Sequence, residues 1–174
     1  ESKGVGHLAL SSRFNRAGPE GMPSNIFRSI TESVMRILSE DNLTAPNEYD
    51  TKPEWQDHQP NSSARQVAKK RVRRYLEACS EKHKTTYEAL MAAVRDAFKA
   101  EGHQWGVVRL EALWVYNVEP KEKPWVCMNC RQIHWQPSAG ICSRCSSPLT
   151  PDANGEKTAE QIESQHYYAN LAAN

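Results

Sequence analysis

Residues 125–149 read WVCMNCRQIHWQPSAGICSRCSSPL, and the four cysteines in that string decide how the chain is organised. They fall into two pairs, Cys127-x-x-Cys130 and Cys142-x-x-Cys145, with eleven residues between them. A two-residue gap lets two thiolates from one tight turn face the same cation. Two such turns brought together supply the tetrahedral sulfur set that Zn²⁺ takes in structural sites. Pro137 and Gly140 in the intervening segment suit a chain reversal, so the spacing predicts a zinc ribbon over residues 125–150. Four sulfur ligands leave no open coordination position, so this Zn²⁺ would hold structure and perform no chemistry. About 25 residues bury too little apolar surface to fold alone, and the metal would supply much of the folding energy. Four cysteines also serve two disulfides, a redox dithiol or an iron–sulfur cluster. Nothing in the sequence suggests secretion, and two matched pairs suit a metal better than a dithiol. His134 lies near the site and reads as a supporting, exposed or stacked residue. The fifth cysteine, Cys79, reads as a small buried hydrophobe.

Working outward, the preceding hundred residues read as helical. Residues 1–23 mix Gly, Ser, Pro and Arg and predict an irregular arm. Residues 24–118 read as a helical domain. Ile26, Phe27, Ile30, Val34, Ile37 and Leu38 recur at helical spacing after the capping residues Ser24 and Asn25. Residues 43–60 hold three prolines and predict a loop. Between Ser39 and Gln59 a single lysine opposes six acidic residues, a local balance of −5. A basic helix follows over 62–80, with Val67, Val72, Tyr75, Leu76 and Cys79 on its apolar side. Between Asn61 and Lys84 eight basic residues oppose two acidic ones, a balance of +6. Near-neutrality of the whole chain (+1) is thus a cancellation between neighbouring segments. Arg65, Lys69 and Arg73, with Lys70 and Arg74, repeat at four-residue intervals and could track phosphates. A solvated face pairing with the acidic loop is the plainer use of such a helix. Trp125 and Trp135 could stack on bases or pack within the ribbon.

A third helix is predicted from the capping box Thr85-x-x-Glu88, with Gly102 as its left-handed stop. Residues 106–118 alternate Val108, Leu110, Ala112, Trp114, Tyr116 and Val118 and predict a β element. Residues 158–174 predict a tail helix beginning at the candidate cap Thr158-x-x-Gln161. No internal repeat is evident. The fold class expected is α+β: a helical bundle with a short β element, then a four-cysteine zinc ribbon and a tail helix. A winged-helix arrangement suits three helices and strands, but the long loop before the second helix fits it poorly.

Several function classes drop out. No apolar run approaches the roughly 20 residues of a membrane span. The start, Glu1–Gly6, is no signal peptide and nothing suggests secretion, so a cytoplasmic location is expected. G-x-x-x-x-G-K-[ST], H-E-x-x-H, G-x-S-x-G and the zinc-deaminase signature are all missing from the sequence. No catalytic constellation, and so no enzyme with a small-molecule substrate, is predicted. The chain lacks an initiator Met and reads as a piece of a longer protein.

The string from Trp125 to Leu149, followed by HYYANLA, resembles a zinc-ribbon-containing C-terminal region of large bacterial DEAD/DEAH-box (superfamily 2) helicases. Those of Druantia-type anti-phage defence systems are among them. The resemblance covers about 50 residues, Trp125 to Ala172, and rests on a W-x-C-x-x-C…H…G-x-C-x-x-C-x-x-x-L pattern. It implies that Cys127, Cys130, Cys142 and Cys145 are the metal ligands and that Tyr167 and Tyr168 begin the segment leading into the next part of a longer chain. Both ATPase lobes are missing from these 174 residues, so helicase activity would belong to a longer parent or a partner. The expected function is a non-catalytic accessory region of a DNA helicase or translocase, touching DNA or another domain or subunit of a helicase complex. Zinc-mediated docking of a partner protein without nucleic acid is the second expectation, and a redox or iron–sulfur element the third.

Overall fold

Residues Ser24–Glu40 form the first helix, α1, in the computed structural model, which describes residues 6–10, 14–40, 44–45, 63–102, 108–109, 114–117 and 125–151. Apolar periodicity predicts the helix but not its surroundings, since every residue from Ser29 to Leu38 is buried. Polar side chains in such a helix need partners inside the protein. Thr31 Oγ1 donates to the Phe27 carbonyl at 2.9 Å, and Ser33 Oγ to the Ser29 carbonyl at 2.8 Å. The Glu32 carboxylate accepts the Leu10 N–H and Arg28 Nε, both at 3.0 Å. Arg28 also donates to the Leu10 carbonyl at 2.6 Å. One acid and one base on α1 thus hold both backbone groups of Leu10.

This clamp corrects the expectation of an irregular arm over residues 1–23. Strand β1 (Gly6–Ala9) lies just before the clamp and pairs antiparallel with Trp114–Asn117, Leu8 opposite Val115. Leu10, Phe14 and Met22 are buried in the main core. Composition alone hides an edge whose partner lies over a hundred residues away. Strand β2 (Thr44–Ala45) falls inside the expected acidic loop of 43–60 and pairs in parallel with β3 (Val108–Arg109). The rest of that loop lies outside the described residues. The β element expected over 106–118 is two short strands in different sheets, β3 and β4 (Trp114–Asn117).

Helix α2 (Ser63–His83) runs past its expected end at Ser80. Its close is a Schellman turn. Thr85 N–H donates to the Ser80 carbonyl and Lys84 N–H to that of Glu81, with Lys84 at φ +55°. The reversal leaves Thr86 in an extended conformation as the cap of α3 (Tyr87–Ala100), where its hydroxyl accepts from Ala89 N–H at 3.2 Å. Thr85, the capping residue expected from sequence, is consumed by the turn before it. Gly102 takes φ +80° after α3, as its position suggests.

The helices meet through Phe27, Ile30 and Val34 of α1, Val72, Leu76 and Cys79 of α2, and Leu90, Val94 and Phe98 of α3. Cys79 is fully buried, and burial pushes its thiol up to about 12. Ala139 and Ile141, from the segment between the two cysteine pairs, belong to this same core. Among the described residues, three α-helices with small sheets make the fold α+β. The tail helix expected over 158–174 lies outside the described residues.

Two measurements test these assignments. Lys84→Gly relieves a left-handed non-glycine residue and should raise stability by about 1 kcal/mol, read from the urea midpoint at unchanged slope. Burial pushes the Glu32 carboxyl up from its ordinary 4.5, against the lowering by the Leu10 N–H and Arg28. The folded chain therefore keeps this proton to higher pH than the unfolded chain. The stability it contributes is full below pH 4.5 and is lost as pH rises through the folded value. Glu32→Gln should remove this component of the pH dependence.

Candidate metal centre

The first cysteine pair lies in the hairpin joining β5 (Trp125–Val126) to β6 (Ile133–His134), with Val126 opposite Ile133. Arg131 N–H donates to the Cys127 carbonyl at 2.8 Å, and Cys127 N–H to the Gln132 carbonyl at 3.0 Å. The second pair repeats this wiring. Ser146 N–H donates to Cys142 and Cys142 N–H to Ser147, both at 2.8 Å, while Ile141 bridges Pro148. In each turn the residue after the second cysteine is left-handed, Arg131 at φ +59° and Ser146 at φ +61°. One turn design is thus built twice. Sequence inspection misses the repeat because only the cysteines are shared, and backbone hydrogen bonds carry the rest. Strand β7 (Thr150–Pro151) closes the sheet on the free edge of β5.

The two turns face one another. Cys127 Sγ lies 3.5 Å from Cys145 Sγ and Cys130 Sγ 3.6 Å from Cys142 Sγ, and all four sulfurs fall within 4.8 Å of one another. A tetrahedron with Zn–S bonds of about 2.3 Å has edges of about 3.8 Å, so the set fits one ion. A cluster of several irons and sulfides needs its thiolates farther apart. None of the four is disulfide-bonded. Cys127 and Cys142 are buried under Leu149 and the half-buried Trp125, while Cys130 and Cys145 are half-buried. Burial raises the Cys142 and Cys130 thiols. Burial acts on Cys145 too, but hydrogen bonds from the Ser147 hydroxyl and amide and from the neighbouring thiols outweigh it and bring Cys145 to about 6. Asn129 reaches Ser147 Oγ at 3.0 Å, tying the tips of the two turns together.

His134 is fully buried, with Nε2 3.3 Å from Cys142 Sγ. Burial, then the charge of Arg36, lowers it to about 3, so the ring is neutral. The tautomer that suits a thiolate carries its proton on Nε2 and donates it to the sulfur.

Between the turns, Ser138, Ala139 and Gly140 take three consecutive left-handed conformations, at φ +48°, +52° and +74°. At Ser138 and Ala139 this costs about 1–2 kcal/mol per residue. The chain is held there from both helices. Ser29 Oγ accepts the Ala139 N–H at 2.9 Å, and Ser33 Oγ meets Ser138 Oγ at 2.6 Å. From α2, Tyr75 OH donates to the Ser138 carbonyl (3.1 Å), His83 Nε2 to that of Ala139 (3.2 Å) and Lys82 Nζ to that of Gly140 (3.0 Å). None of these five helix residues stands out in sequence as belonging to the cysteine segment.

The α2 residues expected to meet nucleic acid are a different set from Lys82 and His83, which hold the turn. Lys69, Lys70, Arg73 and Arg74 are exposed, and the side chain of Arg65 lies outside the described residues. Arg73 pairs with Glu77 at 2.8 Å and stands over the Tyr87 ring, and Arg71 pairs with Glu40 at 2.6 Å.

The geometry predicts one divalent ion per chain. Titration with Co²⁺ should produce thiolate charge-transfer absorption that saturates at about one equivalent, and Cys142→Ser should abolish it. Comparison with protein-family models, with curated proteins and with solved structures found no match.

Proposed function

We propose that the chain is a zinc-stabilised, non-catalytic accessory region of a DNA helicase or translocase. The observation carrying this reading is the convergence of Cys127, Cys130, Cys142 and Cys145 on one point. A full set of four thiolates suits Zn²⁺ and leaves no position for a substrate or a reacting water, so the ion serves the fold. Nucleic acid is met by α2, where Lys69, Lys70, Arg73 and Arg74 are exposed along the helix, spaced to follow phosphates. Motor activity, the hydrolysis of nucleotide included, belongs to a longer parent chain or a partner subunit in the cytoplasm, in the setting of anti-phage defence that the sequence resemblance implies.

A second reading has one observation of its own. Met128, at the tip of the first cysteine turn, is 67% exposed, and among the described residues it is the large hydrophobic side chain left in solvent. An exposed methionine on a rigid metal-held turn suits the docking of a partner protein.

Elemental analysis beside a mobility-shift titration separates these readings. Zinc with DNA binding that weakens steeply with salt supports the first, with a log–log slope of about −0.9 per phosphate neutralised. Changing Lys69, Lys70, Arg73 and Arg74 together to Glu should then abolish binding. Zinc with no DNA affinity transfers the function to Met128 and its surroundings.

A further inference from the structure

We infer that the left-handed turn Ser138–Gly140 is a latch through which metal occupancy controls the helical bundle, so that loss of the ion uncovers the side chains of α1 and α2 that the turn covers. This rests on the reading of the four thiolates as a metal site. It goes beyond that reading by assigning the ion a reach well outside its own segment.

The turn has two sets of supports. On the helix side, α2 takes the three successive carbonyls of Ser138, Ala139 and Gly140 through Tyr75, His83 and Lys82. Helix α1 takes the Ala139 amide and the Ser138 hydroxyl through Ser29 and Ser33. On the metal side, Ile141 directly precedes Cys142, and His134, whose Nε2 lies 3.3 Å from Cys142 Sγ, lies on the strand leading into the turn. Leu149 N–H also donates to the Gly140 carbonyl at 3.0 Å.

The metal-side supports have little cohesion of their own. The buried cluster of the cysteine segment is Cys127, Cys142 and Leu149, with Trp125, Cys130 and Cys145 half-buried beside it. Without an ion, four thiols are left close together around no common ligand, and the two turns lose their reason to face one another. The backbone at Ser138 and Ala139 then relaxes from its left-handed conformation, which only an over-determined setting maintains. Withdrawal of the turn removes the partners that Ser29, Ser33 and Tyr75 find in residues 138–139, leaving Ser33 its bond to the Ser29 carbonyl, and opens the core beside Ala139 and Ile141. The dependence is mutual. If the ion stabilises the docked turn, the docked turn must raise the affinity for the ion by the same factor.

The test is hydrogen exchange on the native chain before and after removal of zinc by a chelator, with elemental analysis of both samples. The latch requires amides of α1 and α2 to lose protection together with residues 125–151, by about tenfold or more. Loss of protection confined to 125–151, with both helices unchanged, overturns it. A native sample found to contain no metal overturns the metal reading itself, an outcome distinct from metal without coupling. A second variant approaches from the other side. Ser33→Ala combined with Tyr75→Phe leaves all four thiolates in place, yet should weaken zinc about tenfold in competition with a chromogenic chelator. Unchanged zinc affinity in this variant, with the helical fold retained by circular dichroism, also overturns the latch.

Discussion

Satisfaction of polar groups along α1 is the constraint on which the rest of this structure depends. From Ser29 to Leu38 the helix is enclosed, although Ser29, Thr31, Glu32, Ser33 and Arg36 lie among the apolar residues. Burying such groups without partners costs a few kcal/mol each, against a total stability of about 5–15 kcal/mol for an ordinary domain. The partners come from opposite ends of the chain. Leu10 reaches Glu32 and Arg28, and the turn at Ser138–Ala139 reaches Ser29 and Ser33. Each contact both satisfies the helix and fixes a distant segment. Polar residues of α1 thus hold the chain end next to β1 and, together with Tyr75, Lys82 and His83 of α2, the segment between the cysteine turns.

The same constraint explains what could be read in advance. Cysteine spacing is local information, because two residues between ligands dictate a tight turn whatever surrounds it. Helix α1 and the core residues of α2 follow from apolar period for the same reason. Serines at 29 and 33, in contrast, look like the solvated side of a surface helix, and only the arrival of residues 138 and 139 reveals their use. The cap of α3 moved from Thr85 to Thr86 because a neighbouring turn, closed by a left-handed lysine, claimed Thr85 first. β1 was hidden since strand pairing is a property of two segments, and its partner shares no signal with it. The resemblance to helicase regions concerns the cysteine string, whose local turns say nothing of the helices they dock against.

Charge adds a further link between the helices and the cysteines. A zinc ion with four thiolates has two positive and four negative charges, a net −2. Arg36, buried on α1, is close enough to His134 to depress its basicity, and His134 in turn meets Cys142. With zinc bound, the anionic centre and the cation of Arg36 would both neighbour this imidazole, and their opposite charges would partly offset the cost of burying them. The exposed basic residues of α2 are different in kind, facing water, with Arg73 already engaged by Glu77.

Ser29 and Ala139 are 110 positions apart, and that separation sets an order of events during synthesis. At about 5–20 residues per second, α1 leaves the ribosome roughly 5–20 s before the segment that covers its serines. Over that interval the helix has an open flank that no earlier part of the chain closes. Its final packing waits for residues made near the end of the described fold. Among the described residues, the three helices are therefore made well before the turn that completes their core, and the second cysteine pair follows directly behind that turn.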